Sequence, residues 1–287
     1  METSLVLKKA KKNQVKLKIA ISGISNSGKT YSALRLANGM GKKIIVIDTE
    51  NGSASLYSNK FDFDVIELTP PYTVDRYLEA IKIAEDENPD VLIIDSISHE
   101  WSGEGGLLQL KESLDQRGGN SFQNWAKITP KHERFIAKIL HSPLHIICTM
   151  RSKTEYIMEQ NDKGKMAPKK VGLAPVQRDN VEYEFSIVFD IAKNHEAAIS
   201  KDRTEIFKDE ILTITEETGK KIIAWANDGL PYEQKKTIKE LILEKSTLIL
   251  DQDLKNKIVE TVINETDLSK MSKYLNRVEE ILNGQWF

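Results

Sequence analysis

The sequence predicts an α/β fold in which helices flank a mostly parallel central sheet. Short Ile- and Val-rich runs alternate with helical patterns, and continuous runs of this kind are typical of strands covered on both faces. The five runs are Leu17–Ser22, Lys43–Asp48, Asp90–Asp95, Leu144–Thr149 and Phe185–Ile191. With 287 residues, 40% of them hydrophobic, the chain can bury a full core. We expect one large α/β domain with a small appendage.

Apolar periodicity predicts the helices that connect these strands. Within Val74–Glu87, the side chains of Tyr77, Leu78, Ile81 and Ala84 fall on one helical face. The same periodicity predicts helices within Tyr31–Met40 and His132–Leu140. Residues 159–180 are polar and lack this pattern, so they are predicted to form a long functional loop.

The C-terminal third changes character. Ile211–Ile214 and Lys221–Ala226 flank Glu217-Thr218-Gly219, which predicts a C-terminal hairpin at the edge of the sheet. Beyond it, Asp251 is placed to cap an amphipathic helix, and a last helix carries Met271 and Val278. We therefore divide the chain into a basic N-terminal tail at 1–15, an α/β core at 16–228 and a helical appendage at 229–287.

Residues 23–30 form a complete phosphate-loop motif, G-x-x-x-x-G-K-[ST], between a predicted strand and a predicted helix. The two glycines let backbone N–H groups turn toward phosphates, and the helix N-terminus adds its positive end. Lys29 is expected to bridge the β- and γ-phosphates of ATP, and Thr30 to bind Mg²⁺. The predicted nucleotide-binding residues are Gly23, Ser25, Asn26, Ser27, Gly28, Lys29, Thr30 and Tyr31.

Two carboxylates follow buried strands. Asp95 closes a strand as a Walker B aspartate does, and we predict that it holds Mg²⁺ together with Thr30. Glu50 follows the strand that ends at Asp48, and we predict that it is the general base for the attacking water. The alternative is that Glu50 only opens a turn, in which case Asp48 is the fallback carboxylate.

This arrangement resembles the RecA-like branch of phosphate-loop ATPases, with a catalytic Glu after the second core strand and Asp95-Ser96 after the third. The resemblance implies a γ-phosphate sensor at Thr149, where that family has Gln. It also implies that Lys201 and Arg203 form a finger that enters the site of a neighbouring subunit, which requires a ring or filament. The alternative is that these two cations lie in an ordinary solvated turn.

Length and motif order look most like the phage-encoded RecA-like ATPases of single-strand annealing recombination. That resemblance implies ATP and Mg²⁺ as cofactors, with single-stranded DNA, further copies of the chain and a single-strand binding protein as partners. Cations in and before the long polar segment suit a DNA backbone. They are Arg151, Lys153, Lys163, Lys165, Lys169, Lys170 and Arg178. A solvated hairpin is the alternative for this segment.

Composition adds weak constraints. A formal charge of −2 neither supports nor excludes nucleic acid. The single cysteine, Cys148, allows no internal disulfide, and no long apolar stretch follows the N-terminal lysines, so we expect a cytoplasmic protein without membrane contact. The five histidines lack metal-site spacing. An ATP-dependent switch or loader that acts on a partner protein without touching DNA remains the alternative function.

Overall fold

The computed structural model describes residues 7, 9–118, 120–160, 166–207, 210–230, 242–243, 245–249, 251–265 and 268–282. The chain falls into two compact units, Met1–Pro231 and Tyr232–Phe287. The sequence placed this boundary after residue 228.

The first unit is built on one mixed sheet. Its strand order is β3-β2-β4-β5-β1-β7-β8-β9, and β6 pairs only with β5. The strands are β1 (Lys18–Gly23), β2 (Ile44–Asp48), β3 (Asp64–Glu67), β4 (Val91–Asp95), β5 (His145–Gln160), β6 (Met166–Pro175), β7 (Ile187–Ile191), β8 (Ala197–Asp202) and β9 (Ile211–Leu212). The pairs from β3 across to β7 are parallel, while β8 and β9 are antiparallel. The predicted mostly parallel sheet is confirmed.

Helices cover both faces of this sheet. They are α1 (Lys29–Met40), α2 (Val74–Asp86), α3 (Ser98–Ser102), α4 (Leu107–Gln116), α5 (Ser121–His141) and α6 (Glu216–Asn227). Successive strand residues point to opposite faces, so Ile45 and Ile47 pack in the cluster that holds α2 and α5. Ile44 and Val46 pack in the cluster that holds α1 and α6. The continuous apolar runs are explained by this double burial.

The predicted C-terminal hairpin is wrong, because Glu216–Asn227 forms helix α6. Thr215 and Thr218 make a capping box at its start, and Ile222 and Ala226 are buried at helical spacing. The Arg35 guanidinium on α1 donates to both carboxylate oxygens of Glu216, with Nη2 at 2.6 Å from Oε2. This cap and ion pair favour a helix over the turn that Thr218-Gly219 indicated. Only the short strand β9 remains at the edge, paired with β8.

The predicted long loop is wrong for the described residues up to Pro175, which pair as strands in line with the hairpin alternative. Strand β5 continues to Gln160, and β6 pairs with it antiparallel from Pro175 back to Met166. We call residues 152–175, which include these paired parts of β5 and β6, the arm. Pro168 and Pro175 interrupt the sequence pattern, but β6 has a partner on one side only, and an outer strand tolerates proline.

Part of the predicted N-terminal tail is packed against the core. Gln14 N donates to Leu230 O at 2.7 Å, and Val15 N donates to Ala226 O at 3.0 Å. The Lys12 amine lies 2.6 Å from an Asp228 carboxylate oxygen and 4.7 Å from the Trp225 ring centre. Lys12 is therefore bound at the end of α6 rather than free in solvent.

The second unit contains α7 (Gln252–Asn264) and α8 (Leu268–Leu282). The Asp251 side chain accepts from Leu254 N at 3.0 Å, so the predicted cap is confirmed. Val262, Met271 and Val278 are buried in a separate apolar cluster. This unit thus has a small core of its own.

Candidate active site

The candidate site lies at the carboxyl edge of the sheet, where ligands bind in open α/β folds. Strand β5 runs between β1 and β4, which places Thr149 opposite Ile21. Asp48 and Asp95 are paired at the ends of β2 and β4. Side chains from four separate parts of the sequence thus come together at one edge.

The phosphate loop joins β1 to α1. Gly28 has φ of +89°, and a Cβ there would lie 3.0 Å from Nδ1 of His195. A Cβ on Gly23 would lie 2.8 Å from the Ile191 carbonyl oxygen. Both glycines are therefore required by the backbone, as the motif predicts. Ser25 and Asn26 are exposed, whereas Ser27 is buried and its hydroxyl has no hydrogen-bond partner.

Lys29 lies across the mouth of this loop. Its Nζ donates to the Ile24 carbonyl at 2.9 Å. Burial lowers the pKa of Lys29, while the nearby carboxylates of Asp95 and Glu50 raise it. A partly buried ammonium group beside backbone N–H groups at a helix start fits a polyanionic ligand such as a triphosphate.

Asp95 is fully enclosed and bonded to two hydroxyls. Thr30 Oγ1 donates to its Oδ2 at 2.5 Å, and the Thr149 hydroxyl donates to Oδ1. Burial raises the pKa of the Asp95 carboxyl, against these two hydrogen bonds, which lower it. Thr149, the predicted sensor, is thus next to Asp95 and wholly buried.

The donor set of Thr30 and Asp95 fits Mg²⁺, which prefers carboxylate, hydroxyl, phosphate and water oxygens. Among the described residues, no group of three or more His, Cys, Asp and Glu side chains is placed to hold a metal alone. A Mg²⁺ ion here would therefore need nucleotide phosphates and water as its other ligands, as in phosphate-loop sites.

Glu50 lies in an ion pair. Arg151 Nε donates to its Oε1 at 2.8 Å, the Arg151 Nη2 group donates to Oε2, and Ser96 Oγ donates to Oε1 at 3.2 Å. Burial alone would raise the pKa of Glu50, but Arg151 brings it below its usual range. A carboxylate paired in this way is a weak base until the guanidinium moves.

Asp48 has a different role. It is buried, and its carboxylate accepts from the backbone N–H of Glu50 at 2.6 Å and of Ala54 at 2.9 Å. Its oxygens therefore shape the loop that presents Glu50. The geometry favours Glu50 over Asp48 as the candidate base.

Sequence reasoning missed a polar group behind Glu50. Thr49 Oγ1 lies 2.7 Å from His99 Nδ1 and accepts from Ser96 N at 2.8 Å. The Tyr72 ring stacks on His99 with ring centres 4.7 Å apart. Burial lowers the pKa of His99, which favours the neutral imidazole. The position of His99 just after Asp95-Ser96 was the one available sequence signal.

Lys201 and Arg203 lie at the opposite edge of the sheet. Strand β8 runs antiparallel to β7, so Lys201 pairs with Val188 while Ala197 pairs with Ile191 beside the phosphate loop. The side chains of Lys201 and Arg203 donate to the Tyr183 carbonyl. They do not reach the phosphate loop of their own subunit, so the finger remains a prediction about a second subunit.

The cations predicted to bind nucleic acid separate into groups. Arg151 belongs to the candidate site through Glu50, whereas Lys153 is exposed at the base of the arm. In the arm backbone, Lys169 and Lys170 of β6 pair with Ile157 and Tyr156 of β5. Arg178 follows the arm, and Lys163 and Lys165 lie outside the described residues.

Tyr31, the last predicted nucleotide contact, packs among aromatic rings. Its ring centre lies 5.3 Å from that of Tyr57 and 5.5 Å from that of Phe61. The Lys60 amine lies 5.3 Å above the Tyr31 ring. A role for Tyr31 in nucleotide binding stays a prediction.

The fold and this site define a phosphate-loop nucleotide-binding domain of the α/β class. The chain belongs to the AAA domain family, whose model matches residues 15–220. This family supports nucleotide binding and nucleoside triphosphate hydrolysis at a general level. No curated protein matches the chain.

Two solved structures are similar at a low level. The RadB recombinase is 17% identical with a TM-score of 0.39, over 71% of this chain and 89% of that one. An ATPase from the type III secretion system of pathogenic bacteria is 13% identical with a TM-score of 0.39, over 92% of this chain and 81% of that one. Within the described ranges, no helix has both the length and the apolar character needed to cross a membrane.

Proposed function

We propose that the chain is a RecA-like, Mg²⁺-dependent ATPase that assembles on single-stranded DNA and promotes annealing or strand pairing in phage recombination. The observation that carries the proposal is the continuity of β5. Strand β5 contains Thr149, which donates to Asp95, and Arg151, which is paired with Glu50. The same strand then continues into the arm, which carries cations. A ligand that moves the arm therefore acts on β5, whose Arg151 is paired with the candidate base Glu50.

The proposed chemistry gives each side chain of the site a role. Glu50 takes the proton of the attacking water, whose oxygen bonds to the γ-phosphorus as the bond to the β–γ bridging oxygen breaks. Lys29 balances the charge of the phosphates. Thr30 and Asp95 would hold a Mg²⁺ ion, which would neutralise further charge on the phosphates.

Arg151 sets when this reaction starts. While its guanidinium is paired with Glu50, the pKa of Glu50 is held low and the carboxylate accepts a proton poorly. Ser152 Oγ lies 2.7 Å from Ser22 Oγ of β1, so the arm is joined to the phosphate-loop strand directly after Arg151. We infer that binding of DNA to the arm shifts Arg151 and frees Glu50.

The base of the arm has a second link to the site. Val176 N donates to the Arg151 carbonyl at 2.6 Å, and Gln177 Nε2 donates to the Ile97 carbonyl at 3.0 Å. Ile97 N in turn donates to the Thr149 carbonyl at 3.1 Å. Hydrogen bonds thus connect the residues that directly follow β6 to the segment that follows Asp95.

The test is ATP turnover with and without single-stranded DNA, with duplex DNA of equal length as the control. We expect single-stranded DNA to stimulate the wild-type protein, and Arg151→Ala to bring the ratio of stimulated to basal turnover close to one. The DNA proposal would be contradicted if single-stranded DNA neither bound to the protein nor changed ATP turnover at any salt concentration. That outcome favours the alternative, a switch or loader that binds a partner protein through the helical appendage.

A further inference from the structure

The turn between β7 and β8, residues 192–196, lies against the phosphate loop. Ile191 at the end of β7 pairs with Gly23, the first residue of the motif. Within the turn, Ala192 N donates to Glu196 O at 2.8 Å and His195 N donates to Ala192 O at 3.0 Å. The Asn194 side chain accepts from Glu196 N at 3.2 Å. The turn is therefore closed by its own hydrogen bonds and anchored beside the loop.

His195 makes the contact from this turn to the loop. Its Nδ1 lies 2.9 Å from the Ser27 carbonyl oxygen. A carbonyl oxygen only accepts hydrogen bonds, so Nδ1 carries the proton in this contact. The same nitrogen is the nearest atom to the position that a Cβ on Gly28 would take. His195 thus faces the one peptide unit, Ser27–Gly28, that leads into Lys29.

The backbone of His195 is left-handed, with φ of +67°. Few non-glycine residues adopt this conformation, and it costs free energy unless the surroundings hold it. His195 is exposed, so burial of its ring does not explain the conformation. Short hairpin loops often end on such a left-handed residue, and in this turn it also brings the His195 ring to the Ser27 carbonyl.

We propose that His195 is a positioning residue for nucleotide binding, which rests on the proposed nucleotide site. A trans peptide is planar, so the Ser27 carbonyl and the Gly28 N–H point in opposite directions. Holding the carbonyl toward His195 turns the Gly28 N–H away from the ring and into the loop that cradles phosphates. The bond also polarises the peptide and so strengthens the N–H as a donor.

Two variants separate the hydrogen bond from the backbone conformation. Asn and Gly both tolerate a left-handed φ, but only Asn keeps a donor nitrogen at the same number of bonds from Cα as His Nδ1. The exposed Lys193, in the same turn, supplies Lys193→Ala as the control. Thermal melting checks that all three variants fold.

The first measurement is hydrogen exchange of the phosphate-loop peptide in nucleotide-free protein, where Ser27 N donates to the Ile24 carbonyl at 3.2 Å and loosening of the loop would break this bond. We expect faster exchange in His195→Gly, and wild-type exchange in His195→Asn and Lys193→Ala. The second is ATP binding and turnover. We expect His195→Gly to weaken ATP binding and raise KM about three- to tenfold, the size of one hydrogen bond, with kcat unchanged. His195→Asn restores both values to within about twofold.

Unchanged exchange and affinity in His195→Gly would overturn the proposal. So would His195→Asn values as poor as those of His195→Gly, because the donor would then be irrelevant. If the wild-type protein bound no ATP, the proposed function would fail. The exchange comparison would still decide whether His195 holds the loop.

Discussion

The two edges of the parallel sheet hold their charged groups differently. At the carboxyl edge, cations and carboxylates face each other: Lys29 lies near Asp95, and Arg151 is paired with Glu50. At the amino edge, the first residue of β1 is a cation held by backbone carbonyls. Lys18 is buried and donates to the carbonyls of Ser142 at 2.9 Å and Leu144 at 2.5 Å.

The charged groups of the carboxyl edge can exchange hydrogen-bond and ion-pair partners, whereas Lys18 at the amino edge can do so only at a high cost in free energy. An ion pair at the carboxyl edge can be replaced by phosphate or water when a ligand binds, because each partner finds a new charge or dipole. At the amino edge, burial lowers the pKa of Lys18 to about 8, and removing it would leave buried carbonyls unpaired. We therefore place the proposed reaction at the carboxyl edge and give Lys18 a structural role.

Lys201 and Arg203 fall between these cases. Their partner is a backbone carbonyl, that of Tyr183, but Arg203 is exposed and Lys201 is half-buried. Val188, the strand partner of Lys201, precedes Ile191 by about 10 Å of extended chain. If Lys201 or Arg203 contacts a triphosphate, that triphosphate must therefore be bound by a second subunit.

The largest effect should come from removing the base at the carboxyl edge. Glu50→Gln keeps the hydrogen-bonding shape but cannot take a proton, so kcat should fall by ~10²–10⁴ while ATP binding persists. The comparison variant is Asp95→Asn, which should weaken Mg²⁺-dependent ATP binding as well. Single-turnover kinetics with a binding titration measures both. Normal hydrolysis by Glu50→Gln would make Glu50 a turn residue.

The amino edge is tested by mixing two inactive proteins. A Lys29→Ala subunit still offers Lys201 and Arg203, whereas a double variant, Lys201→Ala with Arg203→Ala, still offers an intact phosphate loop. Blending them should restore roughly a quarter or less of wild-type turnover, since only some interfaces pair a good loop with a good finger.

Each protein alone is the control in that experiment, and ATPase per subunit should rise with protein concentration. If stable mixed assemblies recover no ATP turnover, Lys201 and Arg203 are only part of a surface turn. Full activity in a strictly monomeric sample would lead to the same conclusion.

The smallest effect is expected in the arm, where charges act through screened contacts with phosphates. Replacing Lys163, Lys165, Lys169 and Lys170 with Ala should flatten the salt dependence of single-strand binding by a slope of roughly 3 if all four contact phosphates. ATP binding should persist. The matched control replaces four exposed lysines elsewhere: Lys42, Lys43, Lys82 and Lys220. If the salt dependence of single-strand binding has the same slope in the two quadruple variants, the DNA site does not lie on the arm.

The carboxyl edge was the predictable part of this molecule. Loop residues such as Gly28 and Lys29 are adjacent in sequence, and their chemistry is set by local backbone conformation. Asp95 could be located because a fully buried strand leaves a polar residue at its end. Glu50 could be proposed from the same pattern.

The rest depends on contacts that no local pattern records. The Arg151–Glu50 pair and the His195–Ser27 contact arise from strand order, which brings β5 and β7 to either side of β1. Helix α6 was mistaken for a hairpin because its cap residues also favour turns. The arm was mistaken for a loop because its strands are polar and carry prolines, and their pairing with each other is non-local.

The central claim, that the carboxyl edge hydrolyses ATP, is tested most directly by ATP turnover in wild type and Lys29→Ala. Lys29 contacts only the Ile24 carbonyl by hydrogen bond in the part of the chain described, so the variant should melt like wild type. We predict Mg²⁺-dependent turnover by the wild-type protein, abolished by EDTA, and a loss of ~10²-fold or more in Lys29→Ala. Near-wild-type turnover in a folded Lys29→Ala protein would contradict the account.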